Sequence, residues 1–135
     1  MTVTVIRDRS AAMRQQIQIR DHRLTADEPP SNGGDDSGPT PHDLYDAAIG
    51  ACKALTVVWY ARRKNLPLED VRVTVERDDA QEAKGVYRLK TLLTLTGALS
   101  EADRERLLQV AAKCPVHRLM TEVKTEIETG WAPDA

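Results

Sequence analysis

The sequence predicts an α+β fold with antiparallel sheet, and three observations carry that expectation. Short alternating apolar runs open the chain, a long capped helix follows, and two further runs joined by a charged link read as a hairpin. The 135 residues, 41% of them hydrophobic, suit one domain spanning residues 1–135.

Thr2 to Ile6 and Ile17 to Leu24 read as the opening pair of strands, with period-2 patterning in Ile17-Gln-Ile19. Arg7 to Ala12 is the turn region between them. Residues 27–39 are dense in Pro, Gly and acidic side chains and read as a loop whose length marks function or mobility. Thr40 then caps a helix, Pro41 fits its first position, and Asp43 stands third, as in a capping box. That helix runs to about Lys64, where Asn65 tolerates a left-handed cap and Pro67 bars continuation.

Val71, Val73 and Val75 alternate with polar residues in one strand, and Val86 to Thr96 gives its antiparallel partner. Ser100-Glu-Ala-Asp103 opens a second helix with another cap. Pro115 disfavours the helical conformation at Cys114, so the helix breaks there and a short further turn reaches Leu119. Val123, Thr125, Ile127 and Thr129 alternate in a way that suits a last strand over Thr121–Thr129.

Several classes of function are excluded at this stage. Charged residues make up 30% of the chain, but the formal net charge is −2 and no Lys/Arg run occurs, so nothing points to nucleic acid or anionic lipid. No span approaches the roughly 18 uninterrupted apolar residues of a membrane helix. The amino-terminal residues lack the apolar region of a signal peptide, so a soluble cytoplasmic protein with reduced thiols is expected. The stretch 41–61 is apolar on nearly every face, more than a small domain can cover, which predicts a homodimer.

Chemistry concentrates at Cys52, within the long helix, and Cys114, directly before a proline. Two cysteines are too few for a disulfide scaffold but can serve as a reversible dithiol. If Pro115 starts a new helical turn, Cys114 occupies its cap, where free N–H groups together with Lys113 and Arg118 favour a thiolate. By that argument Cys114 has the lower pKa, and Cys52 in mid-helix reads first as a small buried hydrophobe. A zinc site from His42, Cys52, Cys114 and His117 is disfavoured by helix geometry. His42 and Cys52 stand nearly three helical turns apart, about 15 Å along the axis, so both cannot reach one ion. His117 reads as a helix-surface or supporting group and His22 as an exposed strand residue. Tyr45, Trp59 and Tyr60 read as core packing, or as walls of an apolar pocket.

The run Gly33-Gly-Asp-Asp-Ser-Gly-Pro-Thr-Pro-His-Asp-Leu-Tyr-Asp-Ala-Ala-Ile-Gly-Ala-Cys52 resembles the first signature of the OsmC/Ohr family, in which a Gly-rich loop leads into Ala-Ala-x-x-x-Cys. Leu107-Leu-Gln-Val-Ala-Ala-Lys-Cys-Pro-Val-His117 is similar to its second, Ala-x-x-Cys-Pro-[Val/Ile]-[His/Ser]. Tyr60-Ala-Arg-Arg-Lys-Asn-Leu-Pro-Leu68 fits the general OsmC-like branch. The resemblance covers the chain from about Gly33 onward. It implies an intertwined homodimer with sheets wrapped around long central helices and active sites at the subunit interface.

It further implies reduction of organic hydroperoxides by a cysteine pair. Cys52 is then the thiol attacked by peroxide and Cys114 the resolving thiol, an order opposite to the pKa argument. A dithiol reductant restores the pair, and no metal or organic cofactor is required. The family also uses a carboxylate and an arginine. Ten positions before Cys52, where the hydroperoxide-resistance branch has Glu, this chain has His42; Asp43 is the nearest acid and matches the general branch. Capping explains Asp43 fully and is the reading its position favours. The arginine comes from the amino-terminal hairpin, where Arg7, Arg9, Arg14, Arg20 and Arg23 compete and Arg14 is favoured. The alternatives to a peroxidase are an acyl-chain or small-molecule binding module and a slow thiol redox sensor.

Overall fold

A computed structural model describes residues 1–133. The fold comprises two compact units, residues 1–50 with 75–91, and residues 51–74 with those from 92 onward.

In the first unit, β1 (Val3–Arg7), β2 (Gln15–Ile19) and β3 (His22–Ala26) form an antiparallel sheet in that order. Val5 lies opposite Ile17, and Ile17 opposite Leu24. The strand expected from Ile17 to Leu24 is therefore two strands. Arg20 takes φ 52, and with Asp21 it reverses the chain so that Ile19 pairs with His22. Glycine or asparagine normally marks such a position, and arginine there leaves no signature. The β1–β2 turn closes on Asp8, which accepts hydrogen bonds from the Ser10 amide and hydroxyl and from Arg14 Nε.

The long loop after β3 is organised around one carboxylate. Asp27 is buried and accepts from the amides of Glu28, Asp35 and Ser37 and from the Ser37 hydroxyl. Backbone packs so closely there that a Cβ on Gly34 would lie 1.9 Å from the Glu28 carbonyl oxygen.

α1 (Pro41–Arg63) begins with the expected capping box. The Asp43 amide donates to Thr40 Oγ1, and the Thr40 amide donates to Asp43 Oδ2. α1 contributes its residues through Gly50 to the first unit and the remainder to the second. Its end is also as expected: Asn65 adopts φ 52, and the amides of Asn65 and Leu66 return to the carbonyls of Arg62 and Ala61 in a Schellman closure.

β4 (Asp70–Asp78) and β5 (Arg88–Thr96) form a separate two-stranded sheet. The strand expected from Val86 starts two residues later, after a 3-10 turn at Glu82–Lys84 ended by Gly85 with φ 91. Alternating half-buried and exposed positions along β5 give it one covered face.

In the second unit, α2 (Glu101–Ala112) is capped by Ser100 Oγ, which accepts from the Asp103 amide. α3 (Pro115–Thr121) follows after the break at Cys114. Val57 and Ala61 of α1 meet Leu107 and Ala111 of α2 in the core, with Leu66, Leu68 and Val71 packed against them. A strip of α1 made of Ala51, Leu55 and Trp59 stays exposed, Leu55 at 70% and Trp59 at 58%.

The last strand expected over Thr121–Thr129 does not form in this chain. Thr121 ends α3 and bonds its hydroxyl to the His117 carbonyl, and residues 124–130 pair with no strand. Alternation supplies two faces, but a strand forms only where its backbone bonds to a neighbouring strand, and residues 124–130 make no such ladder. Among the described residues no helix is long and apolar enough to cross a membrane.

Candidate functional site: a paired-cysteine centre

Both cysteines lie in the second unit, and both thiols are free. α1 carries Cys52, half-buried, while the α2–α3 break carries Cys114, fully buried. Pro115 causes that break as the sequence predicts. Cys114 is extended at φ −63, ψ 151 and caps α3, whose first residue is Pro115. The first amides of a helix have no partner within it, so they are free to face the sulfurs. The Val116 amide donates to Cys52 Sγ at 3.4 Å. The His117 amide turns toward Cys114, short of a full capping hydrogen bond.

The lowered pKa argued from the residues for Cys114 is not borne out. Burial pushes its thiol above the ordinary range, and the neighbouring Cys52 thiol pushes the same way. The His117 amide and the Lys53 charge pull it down without prevailing. Lys113 and Arg118, the cations expected to help, are exposed, and Arg118 turns to Glu122 at 3.5 Å. A cap position favours a thiolate only while water or charge compensates for burial, and here neither does so fully.

Lys53 is one residue near the thiols that sequence reasoning missed. It is 3% exposed, donates from Nζ to the Ala111 carbonyl at 2.9 Å, and lies 3.0 Å from His117 Nδ1. Among the described residues it forms no ion pair. A lysine inside an otherwise apolar helical run was the available signal, since buried lysine is rare unless something holds it. His117, expected as a helix-surface or supporting group, is half-buried against that ammonium.

The candidate carboxylate and arginine belong to the first unit and do not pair with each other. Arg14 Nε bonds Asp8 at 2.9 Å and its Nη2 reaches Ser10 Oγ at 3.3 Å, which holds the guanidinium in the β1–β2 turn. Asp43 keeps its capping role and also accepts from Arg77 Nη2 at 2.8 Å. Arg77 Nε bonds Asp46 at 2.6 Å, and the Tyr87 hydroxyl donates to the other Asp46 oxygen at 2.6 Å. The Thr40 amide and Arg77 hold Asp43 below the usual carboxylate range, and burial with Asp46 pushes Tyr87 up to about 12. Arg77 escaped the sequence reading because it lies on β4, outside the hairpin searched for an arginine.

His42, standing where the hydroperoxide-resistance branch has Glu, pairs with Glu82 at 3.0 Å, and that carboxylate raises its pKa. Tyr60 is half-buried and accepts from Arg106 Nε at 2.7 Å, whereas Tyr45 and Trp59 are exposed in the single chain rather than in a core. Among the described residues no group of three or more His, Cys, Asp or Glu is placed to hold a metal ion.

The arrangement is that of an α+β protein in which two free cysteines approach each other at a proline-broken helix junction, the candidate site. The family model described as OsmC-like protein matches residues 34–129, and the chain belongs to that family. The fold is shared with a Psychrobacter arcticus structure named for osmotic stress induction and a detoxification response, at TM-score 0.76 and 17% identity over 90% of this chain and 89% of that one. A Legionella pneumophila organic hydroperoxide resistance protein OsmC aligns at TM-score 0.66 and 21% identity, covering 90% and 88% of the two chains. An OsmC-like protein from Mycoplasma pneumoniae aligns at 0.71 and 16%, covering 90% and 87%. Among curated proteins none matches the chain.

Proposed function

We propose that this protein is a thiol-dependent peroxidase that reduces organic hydroperoxides through a reversible Cys52–Cys114 disulfide. One observation carries the reading: two free thiols meet at the α2–α3 break, with the Val116 amide bonded to the Cys52 sulfur. The family and the hydroperoxide-resistance names among its structural neighbours support it.

The Cys52 thiolate attacks the distal peroxide oxygen, the O–O bond breaks, and an alcohol leaves once its oxygen gains a proton. Cys52 is then a sulfenic acid. Cys114 attacks that sulfur, the S–O bond breaks, and water departs as the disulfide closes. A dithiol reductant returns both thiols, and the cycle uses no metal or organic cofactor. The cytoplasm, where such reductants keep thiols reduced, is the compartment that suits it. The working form is a homodimer, because Ala51, Leu55 and Trp59 offer an apolar strip for a second copy to cover.

Asp43 and Arg14 enter the same proposal as orienting carboxylate and activating guanidinium, with Arg77 as rival for the second role because it already bonds Asp43. Loss of activity on Arg77→Ala with retention on Arg14→Ala would assign the role to Arg77. The opposite pattern would assign it to Arg14.

Stopped-flow consumption of cumene hydroperoxide tests the cycle. Cys52→Ser should lower the rate by about a thousandfold or more, the scale of losing a nucleophile. Cys114→Ser should complete one turnover, accumulate a sulfenic acid and then stop. Equal inactivity of wild type and both variants would favour a binding module. The feature behind that second reading is a cleft of about 390 Å³ lined by Pro41, His42, Tyr45, Glu82 and Tyr87.

A further inference from the structure

We propose that Lys53 is a positioning residue whose ammonium serves as counter-charge to the Cys114 thiolate and braces the helix break that holds it. The resolving role of that thiolate rests on the peroxidase reading above; its pairing with Lys53 does not.

Lys53 makes two hydrogen bonds, and they fall on opposite sides of Cys114. The Ala111 carbonyl lies three residues before the cysteine, in the last turn of α2, and His117 lies three residues after it, in the first turn of α3. One ammonium thus ties α1 to both flanks of the break. It is 3% exposed and among the described residues has no carboxylate within ion-pair distance. Burying a cation without an anion is unfavourable, and a carbonyl and an imidazole bring no negative charge. The groups nearby that can become negative are the two thiols.

The other groups around the centre do not supply the missing charge. α1 contributes Cys52 and Lys53, α2 contributes the Ala111 carbonyl, and α3 contributes His117 and two backbone amides. Lys113 and Arg118 are exposed. Burial opposes ionisation of Cys114, and Lys53 with the His117 amide are the influences that favour it.

The chemical need is specific. To resolve a sulfenic acid, Cys114 must give up its thiol proton and attack as a thiolate. The new S–S bond replaces the S–O bond of Cys52, and the released hydroxide takes up a proton and leaves as water. The hydroperoxide supplies the oxidising equivalents. A buried thiol without a nearby cation would make the attacking species scarce.

The test titrates ultraviolet thiolate absorbance of the full chain in a Cys52→Ser background, so that Cys114 is the sole thiol read. Lys53→Met should raise the titration midpoint by about one pH unit, a tenfold loss of thiolate at a given pH. Lys53→Arg should leave it within a few tenths of a unit. His117→Ala frees the ammonium from its side-chain anchor and should shift the midpoint in the same direction by less. It also serves as the test if Lys53→Met fails to fold by circular dichroism. An unchanged midpoint in Lys53→Met, or in His117→Ala where Lys53→Met does not fold, would overturn the proposal, because a purely structural lysine alters melting but not the titration.

With Cys52 restored, Lys53→Met should lengthen the sulfenic acid lifetime about tenfold at neutral pH. A wild type that ignores cumene hydroperoxide would remove the peroxidase reading and leave the titration to judge Lys53 separately.

Discussion

The two compact units bury charge in opposite ways. In the first, Asp27 accepts four hydrogen bonds and Asp46 is held by Arg77 and Tyr87. In the second, the core is apolar, with Val57, Ala61, Leu107 and Ala111 in contact, and among the described residues its one buried charge is Lys53, met only by a carbonyl and an imidazole. A charge with a full set of partners fixes shape, because moving it would strand every donor around it. A charge left partly matched beside titratable sulfurs is free to respond to their ionisation.

Substitutions that break or sharpen this contrast rank by size. Leu107 is fully buried, so Leu107→Ala should cost about 3 kcal/mol in chemical denaturation. That would make apolar packing the chief support of the second unit. Asp46→Asn should cost about 2 kcal/mol by weakening the bonds to Arg77 and Tyr87, read the same way. If it proved neutral, the charge network would not be what stabilises the first unit.

Asp27 offers a sharper test because its effect depends on pH. The Ser37 hydroxyl, with the amides around it, holds the carboxyl at about 2 against an ordinary 3.8. A depressed folded pKa contributes stability above the unfolded value, and that contribution fades as pH falls through the folded one. Asp27→Asn should therefore be less stable than wild type at neutral pH, with the gap closing between pH 3.8 and about 2 in acid denaturation. A constant gap would mean that packing, not charge, explains the loss.

The smallest effect belongs to His42, whose exposed pair with Glu82 raises its pKa from 6.5. A raised folded pKa contributes stability below the unfolded value and loses it as pH rises through the folded one. Glu82→Gln should return the NMR titration of His42 toward 6.5 and make stability less dependent on pH around that range.

Much of this was legible in the sequence wherever the cause was local. Thr40, Pro41 and Asp43 fixed the start of α1, Asn65 its end, Ser100 the start of α2, and Pro115 the break that seats Cys114. The two signatures around Cys52 and Cys114 placed the chain in its family. The misses share a different cause, which is that they depend on what lies across from a residue. Residues 124–130 have the alternation of a strand but bond to no neighbouring strand. Cys114 has the position of an activated thiol but is buried. Arg77 and Lys53 find their partners 34 and 58 positions away in sequence, a relation that spacing cannot reveal.

The knot at Asp27 also bears on how this scaffold tolerates grafting. Surface loops are the usual places to splice in a tag or epitope, and the stretch from Glu28 to Ser37 looks inviting by composition. Yet a single buried anion gathers its two ends, so added length there would release all the tethered amides at once. The charged link around Asp79–Ala80, exposed and without such an anchor, is the gentler point of attachment.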